Sequence, residues 1–195
     1  TYVVVDEHDP AFASPSKPIG PAYKCQEDAP SGYPVVKTAK GFRRVVVSPQ
    51  PVTIIEKREI RKLINADFIV ICCGGGGIPV VREGRAFQGV DAVIDKDLAS
   101  ARLAEEVGVD IFLIATDVPG AALNYGTPDQ KFLSRINIKA AQNYITKGHF
   151  PAGSMAPKVE AAIQFIRNEG KRAVITSIDE IVSAVKGEAG TEITI

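Results

Sequence analysis

The stretch Phe68-Ile69-Val70-Ile71-Cys72-Cys73-Gly74-Gly75-Gly76-Gly77-Ile78-Pro79-Val80-Val81 decides the reading of the fold. An apolar run of this length, bounded by turn residues, predicts a fully buried strand over 68–73, of the kind found inside a parallel sheet. The glycines that follow leave a loop of bare backbone. In open parallel sheets ligands bind beyond the carboxyl ends of the strands, which is where this loop falls. Glycine lets a backbone come close to a bulky anion and turn its N–H groups toward it. A plain tight turn with no ligand uses glycine equally well, so the rest of the chain has to decide.

Composition narrows the classes. The chain has 195 residues, 45% of them apolar and 24% charged, as in ordinary globular proteins. Lysine plus arginine balances aspartate plus glutamate, so the net charge is zero and no basic face for nucleic acid is implied. Any anion site must therefore be local. No apolar run approaches the ~20 residues of a membrane span, and the first residues do not read as a signal segment. The cysteines, Cys25, Cys72 and Cys73, lack metal-ligand spacing and read as reduced thiols of a cytoplasmic protein. His8 and His149 are too few for a histidine metal site, so no protein-held metal is expected. The chain opens on an apolar run without an initiator methionine, which suggests the later part of a longer polypeptide.

Residues 1–51 differ from the remainder. Prolines at 10, 15, 18, 21, 30, 34, 49 and 51 exclude long helices there. Short strands over Tyr2–Val5 and Arg43–Val47 remain possible, giving a small Pro-rich hairpin or lid subdomain. Pro15 and Pro18 flank Lys17 and stiffen the backbone that carries it. Lys17 is either a positioned cation or a solvated turn lysine.

From residue 52 to 195 helix and strand alternate. Thr53 and Glu56 have the spacing of a capping box, and Ile60, Leu63 and Ile64 carry a helix to about Asn65. Strands are expected at 68–73, 92–94, 111–115, 173–176 and 192–195. Helices are expected at about 98–107, stopped by Gly108, at 138–146, after Pro157 with Val159, Ala162, Ile163 and Ile166 on one face, and at 178–185. This alternation predicts an α/β fold, a mostly parallel sheet sandwiched by helices.

The unusual residues collect after strands: Gly74 to Gly77, Asp95-Lys96-Asp97, Thr116-Asp117 and Thr176-Ser177. Asp95 or Asp97 can serve as the N-cap of the next helix. Lys96 is harder to explain, because a cation at a helix start opposes the dipole at a cost of ~0.3–1 kcal/mol unless an anion is present. Lys158 repeats the conflict just after Pro157, the favoured first helical residue. Two lysines at helix starts suggest a shared phosphate-bearing ligand. Phosphoryl transfer needs little beyond such positioning and charge neutralisation. No Walker pattern, protein-kinase signature or Ser-His-Asp arrangement is present.

At these residues the chain resembles the carbamate kinases, a branch of the amino-acid kinases. The matching segments are Val4-Val5-Asp6 with Asp9-Pro10-Ala11-Phe12, Lys17-Pro18-Ile19-Gly20-Pro21 and Gly41-Phe42-Arg43-Arg44-Val45-Val46. They continue with the tetraglycine through Val80, Gly89 through Asp97, Thr116-Asp117-Val118, Asn124-Tyr125-Gly126, Gly153 through Ala162, and Gly190-Thr191. The resemblance implies a three-layer αβα fold divided into a lid-like subdomain, 1–51, and a nucleotide-binding domain, 52–195. It implies reversible phosphoryl transfer between ATP and carbamate, giving ADP and carbamoyl phosphate, with Mg²⁺, in a homodimer that makes ATP in arginine catabolism. By motif, Lys96 and Lys158 would contact the phosphates, Asp97 would orient the lysines and Lys17 would reach over the carbamoyl phosphate. Gly74, Gly75, Gly76, Gly77, Thr116, Asp117, Asn124, Tyr125, Gly126 and Met155 would border the nucleotide. The family's other glycine-rich loop, which holds the acceptor, has no match here, so this chain alone is expected to be inactive. Two other classes remain: a non-catalytic nucleotide-binding fragment or regulatory module lacking the acceptor half, and a ligand-free oligomerisation domain.

Overall fold

Helices and strands are interspersed from Thr53 onward in the computed structural model, which describes every residue except Ala39 and Ala152. Of the loop at 151–158, Ala152 thus lies outside the described residues. The strands are Tyr2–Val4 (β1), Lys17–Tyr23 (β2), Val35–Thr38 (β3), Gly41–Val46 (β4), Thr53–Ile54 (β5), Ile78–Glu83 (β6), Ala86–Gly89 (β7), Ile111–Thr116 (β8), Ala122–Leu123 (β9), Lys131–Phe132 (β10), Arg135–Asn137 (β11), Arg172–Ser177 (β12) and Thr191–Thr194 (β13). The helices are Lys57–Asn65 (α1), Lys96–Val107 (α2), Ile138–Thr146 (α3), Met155–Arg167 (α4) and Ile181–Lys186 (α5). The chain is α/β and divides into two units, one of Thr1–Glu56 with Ile71–Ala99, the other of Lys57–Val70 with Ser100–Ile195.

In the first unit, β1 lies between β5, antiparallel to it, and β6, parallel to it, with β7 outermost. Val3, Ile54, Val80 and Ile94 form its core. A separate antiparallel sheet has the order β2-β4-β3. Pro18 and Pro21 sit in β2, an edge strand, where a missing N–H costs least. Arg43 donates to the Gly20 carbonyl, and the Arg44 guanidinium lies 3.6 Å from the centre of the Tyr33 ring.

In the second unit the order is β11-β13-β12-β8. β12 pairs parallel with β8, residue by residue from Arg172↔Ile111 to Ser177↔Thr116, and antiparallel with β13. Ala173, Val174, Ile175 and Thr176 are all buried. Successive side chains of a strand point to opposite faces, so both faces of β12 are covered; α4 and α5 both pack on it. α4 buries Val159, Ala162, Ile163 and Ile166, the face that the helical spacing predicts. Phe165 joins them and meets Phe112 with ring centres 5.4 Å apart. Lys57 at the start of α1 pairs with Glu106 at 2.8 Å.

Four local expectations need correction. Residues 68–73 belong to no sheet among the described residues. Ile69 is 96% and Ile71 97% exposed, so the run is not a buried strand. Its composition is that of a strand, but a ladder also needs a neighbour, and composition cannot supply one. Residues 92–94 form no strand either; Val93 instead donates its N–H to the Val47 carbonyl at 2.9 Å. Thr53 lies in β5 rather than directly before the helix, and the Glu56 carboxylate accepts the Tyr2 N–H at 3.0 Å. Finally, α4 begins at Met155, so Pro157 is its third residue rather than its first.

Candidate functional site

The start of α2 is held by several side-chain bonds. Asp95 precedes the helix and is almost fully buried, 9% exposed. Its Oδ1 accepts the N–H of Asp97 at 2.9 Å and that of Leu98 at 3.3 Å, which satisfies two of the free donors of the first turn. Its Oδ2 accepts Lys17 Nζ at 2.5 Å. Burial pushes the Asp95 carboxyl pKa up, but the Lys17 hydrogen bond and charge, with the two backbone N–H bonds, outweigh that and hold it below 3.8. Of the two aspartates that sequence left open as the cap, Asp95 is the one. Lys96 is the exposed first residue of the helix, and Asp97 sits half-buried beside it in the first turn. These carboxylates offset the clash between Lys96 and the helix dipole.

The tetraglycine forms a turn in the same unit, and its glycines do different things. A Cβ on Gly76 would lie 2.2 Å from the Ile94 carbonyl oxygen, the residue before Asp95. A Cβ on Gly77 would strike Val3 at 2.5 Å and the Thr1 carbonyl at 2.9 Å. Those two are glycine because the backbone passes too close for any side chain, and both have positive φ. Gly74 and Gly75 face open space instead. The first unit thus brings together Gly74 to Gly77, Lys17, Lys96 and Asp97.

The remaining expected residues lie in the second unit. Thr116 ends β8 next to Ser177 of β12, and its hydroxyl donates to Asp117 Oδ1 at 3.1 Å. Asn124 and Gly126 both have positive φ in a turn, and Gly126 donates its N–H to Gln130 Oε1 at 2.8 Å. Tyr125 between them is exposed, which removes simple core packing as the reason for it. Met155 opens α4 and Lys158 lies in its first turn. The Ser154 side chain makes no cap bond there, so Ser154 does not do for α4 what Asp95 does for α2.

Sequence reasoning missed the pairing of Lys17 with Asp95. Each residue was noticed separately, and nothing in local spacing joins positions 78 residues apart. The conflict at Lys96 was the available signal that this helix start was unusual.

Comparison with known proteins bears on what the site is for. Residues 22–177 match the amino acid kinase family. The carbamate kinase of Thermococcus kodakarensis is 50% identical over 99% of this chain and 63% of its own length. A Giardia lamblia carbamate kinase bound to citric acid superposes with a TM-score of 0.89 at 42% identity, covering 100% of this chain and 63% of the other. The Giardia lamblia carbamate kinase bound to AMP-PNP gives 0.84 at 43% identity, covering 99% of this chain and 63% of the other. This chain therefore spans somewhat under two thirds of the length of these relatives. With the family's match running through the hairpin sheet, the start of α2 and the end of β12, the chain belongs to the amino acid kinase family.

Proposed function

We propose that this chain is the nucleotide-binding part of a carbamate kinase, which exchanges a phosphoryl group between ATP and carbamate. The observation that carries the reading is the start of α2, where Lys17, Lys96 and a turn of open glycines surround one helix N-terminus. Such an end already offers N–H groups to an anion, and the lysines add selectivity for a highly charged one. The likeness to carbamate kinases supports the acceptor, and a relative bound to the ATP analogue AMP-PNP supports the nucleotide.

In the reaction a carbamate oxygen attacks the γ-phosphorus of ATP. The bond from that phosphorus to the β–γ bridging oxygen breaks, and ADP leaves with the electron pair. Carbamate is already an anion, so no general base is required. Lys96 and Lys158 neutralise the phosphate oxygens, Asp97 helps to orient the lysines, and Lys17 covers the transferred group from the β2-β4-β3 sheet, which serves as the lid. Thr116, Asp117, Asn124, Tyr125, Gly126 and Met155 border the nucleotide. Among the described residues no three His, Cys, Asp or Glu side chains cluster to hold a metal. By the resemblance, Mg²⁺ would come with the nucleotide and supply charge neutralisation at its phosphates. Operation toward ATP in arginine catabolism, a cytoplasmic location and a homodimer rest on the resemblance to carbamate kinases. No helix among the described residues is long and apolar enough to cross a membrane.

The purified chain, incubated with Mg-ADP and carbamoyl phosphate, should bind ADP in equilibrium dialysis yet form no ATP above background in a luminescence assay. Failure to bind ADP would overturn the nucleotide reading. Appreciable turnover would overturn the claim that the acceptor half lies elsewhere.

A further inference from the structure

We propose that Asp95 is a positioning residue that presets Lys17 for the phosphate-bearing ligand at the start of α2; this rests on the phosphate-site reading above. The two oxygens of Asp95 are divided between two tasks. Oδ1 caps the helix through the Asp97 and Leu98 N–H groups, while Oδ2 takes Lys17 Nζ at 2.5 Å. Lys17 is the first residue of β2 and pairs with Val46 of β4. The Ser16 N–H donates to the Val46 carbonyl, and the Val93 N–H donates to the Val47 carbonyl. The root of the three-stranded sheet is therefore fixed to the segment just before α2 at two points. One is the backbone bond from Val93 to Val47, and the other is the ion pair. A lysine has many rotamers to lose on meeting an anion, and a side chain ordered beforehand spares the ligand that cost.

The cap and the ion pair can be separated experimentally. Asp95→Asn keeps an acceptor for the helix N–H groups and loses the charge that holds Lys17. Inorganic pyrophosphate is titrated calorimetrically into the purified chain and into Asp95→Asn, Lys17→Met and the double variant. Lys17 acetylation by acetic anhydride is followed in parallel by mass spectrometry. Each single variant is expected to weaken pyrophosphate binding about tenfold, the double variant no more than either, and Lys17 to acetylate faster in Asp95→Asn. Asp95→Glu, which retains the charge, should restore part of the affinity, a rescue that a purely structural role would not show. Unchanged or tighter binding by Asp95→Asn, or additive losses in the double variant, would overturn the proposal alone. If the parent chain binds neither pyrophosphate nor ADP, the phosphate-site reading falls and this proposal with it. Should Asp95→Asn fail to fold, Lys17→Arg, which can still reach Asp95, must keep most of the affinity that Lys17→Met loses; equal affinities overturn the proposal.

Discussion

Gly75 and Gly76 are neighbours with opposite roles. Gly76 has φ +131°, and a Cβ there would meet a backbone carbonyl at 2.2 Å. Gly76→Ala should therefore destabilise the chain by about 2 kcal/mol or more. Gly75 meets nothing within 4 Å, so Gly75→Ala should leave the denaturation midpoint within error while weakening nucleotide binding, because the new methyl would enter the space proposed for the ligand. Urea unfolding and ADP titration of both variants check this; equal loss of stability in the two would contradict the division. Cys73 offers a second test. Burial pushes its pKa from 9.0 to about 11, with the neighbouring Cys72 adding to the rise. Between those values the unfolded chain has lost a proton that the folded chain keeps. Stability should therefore be full below pH 9.0 and fall as pH rises toward about 11. Cys73→Ala should flatten that fall in denaturant titrations across pH 9.0. The exposed Cys25 should react with iodoacetamide well before Cys73. At this scale the sequence showed that Lys96 sat in an unfavourable place, because helix starts have local rules. It could not show that Asp95 reaches Lys17, because that contact is made by the return of a distant strand.

Elements whose pattern is self-contained were legible. The buried face of α4 follows from a 3.6-residue period, and Gly108 stops α2 with a positive φ. Elements that need a distant partner were not. Residues 68–73 have the composition of a strand and no ladder among the described residues, and the Glu56 carboxylate accepts the N–H of the distant Tyr2. The consequence for 68–71 is physical. Phe68, Ile69 and Ile71 expose apolar surface in a stretch without charge, the kind of surface that recruits other chains. The chain should self-associate as concentration rises, and Ile69→Lys with Ile71→Lys should reduce this in sedimentation velocity by at least half its apparent association. Unchanged association in that variant would place the contact elsewhere, the exposed Ile178, Val182 and Val185 being the next surface to examine.

For the whole molecule, the α/β class could be read from the alternation of elements, and membership of the amino acid kinase family agrees with it. The two units could not be read, because the first is assembled from Thr1–Glu56 and Ile71–Ala99, segments separated by α1. The chain spans 63% of the length of its Thermococcus kodakarensis relative, so activity and binding have to be asked separately. The most direct measurement is a calorimetric titration of the folded chain with Mg-ADP, repeated on Lys158→Ala, with circular dichroism confirming that both are folded. The expected result is saturable, one-to-one binding by the chain that weakens about tenfold or more in Lys158→Ala. A folded chain that takes up no ADP, or a variant that binds it equally well, would contradict the proposed role of Lys158 in nucleotide binding.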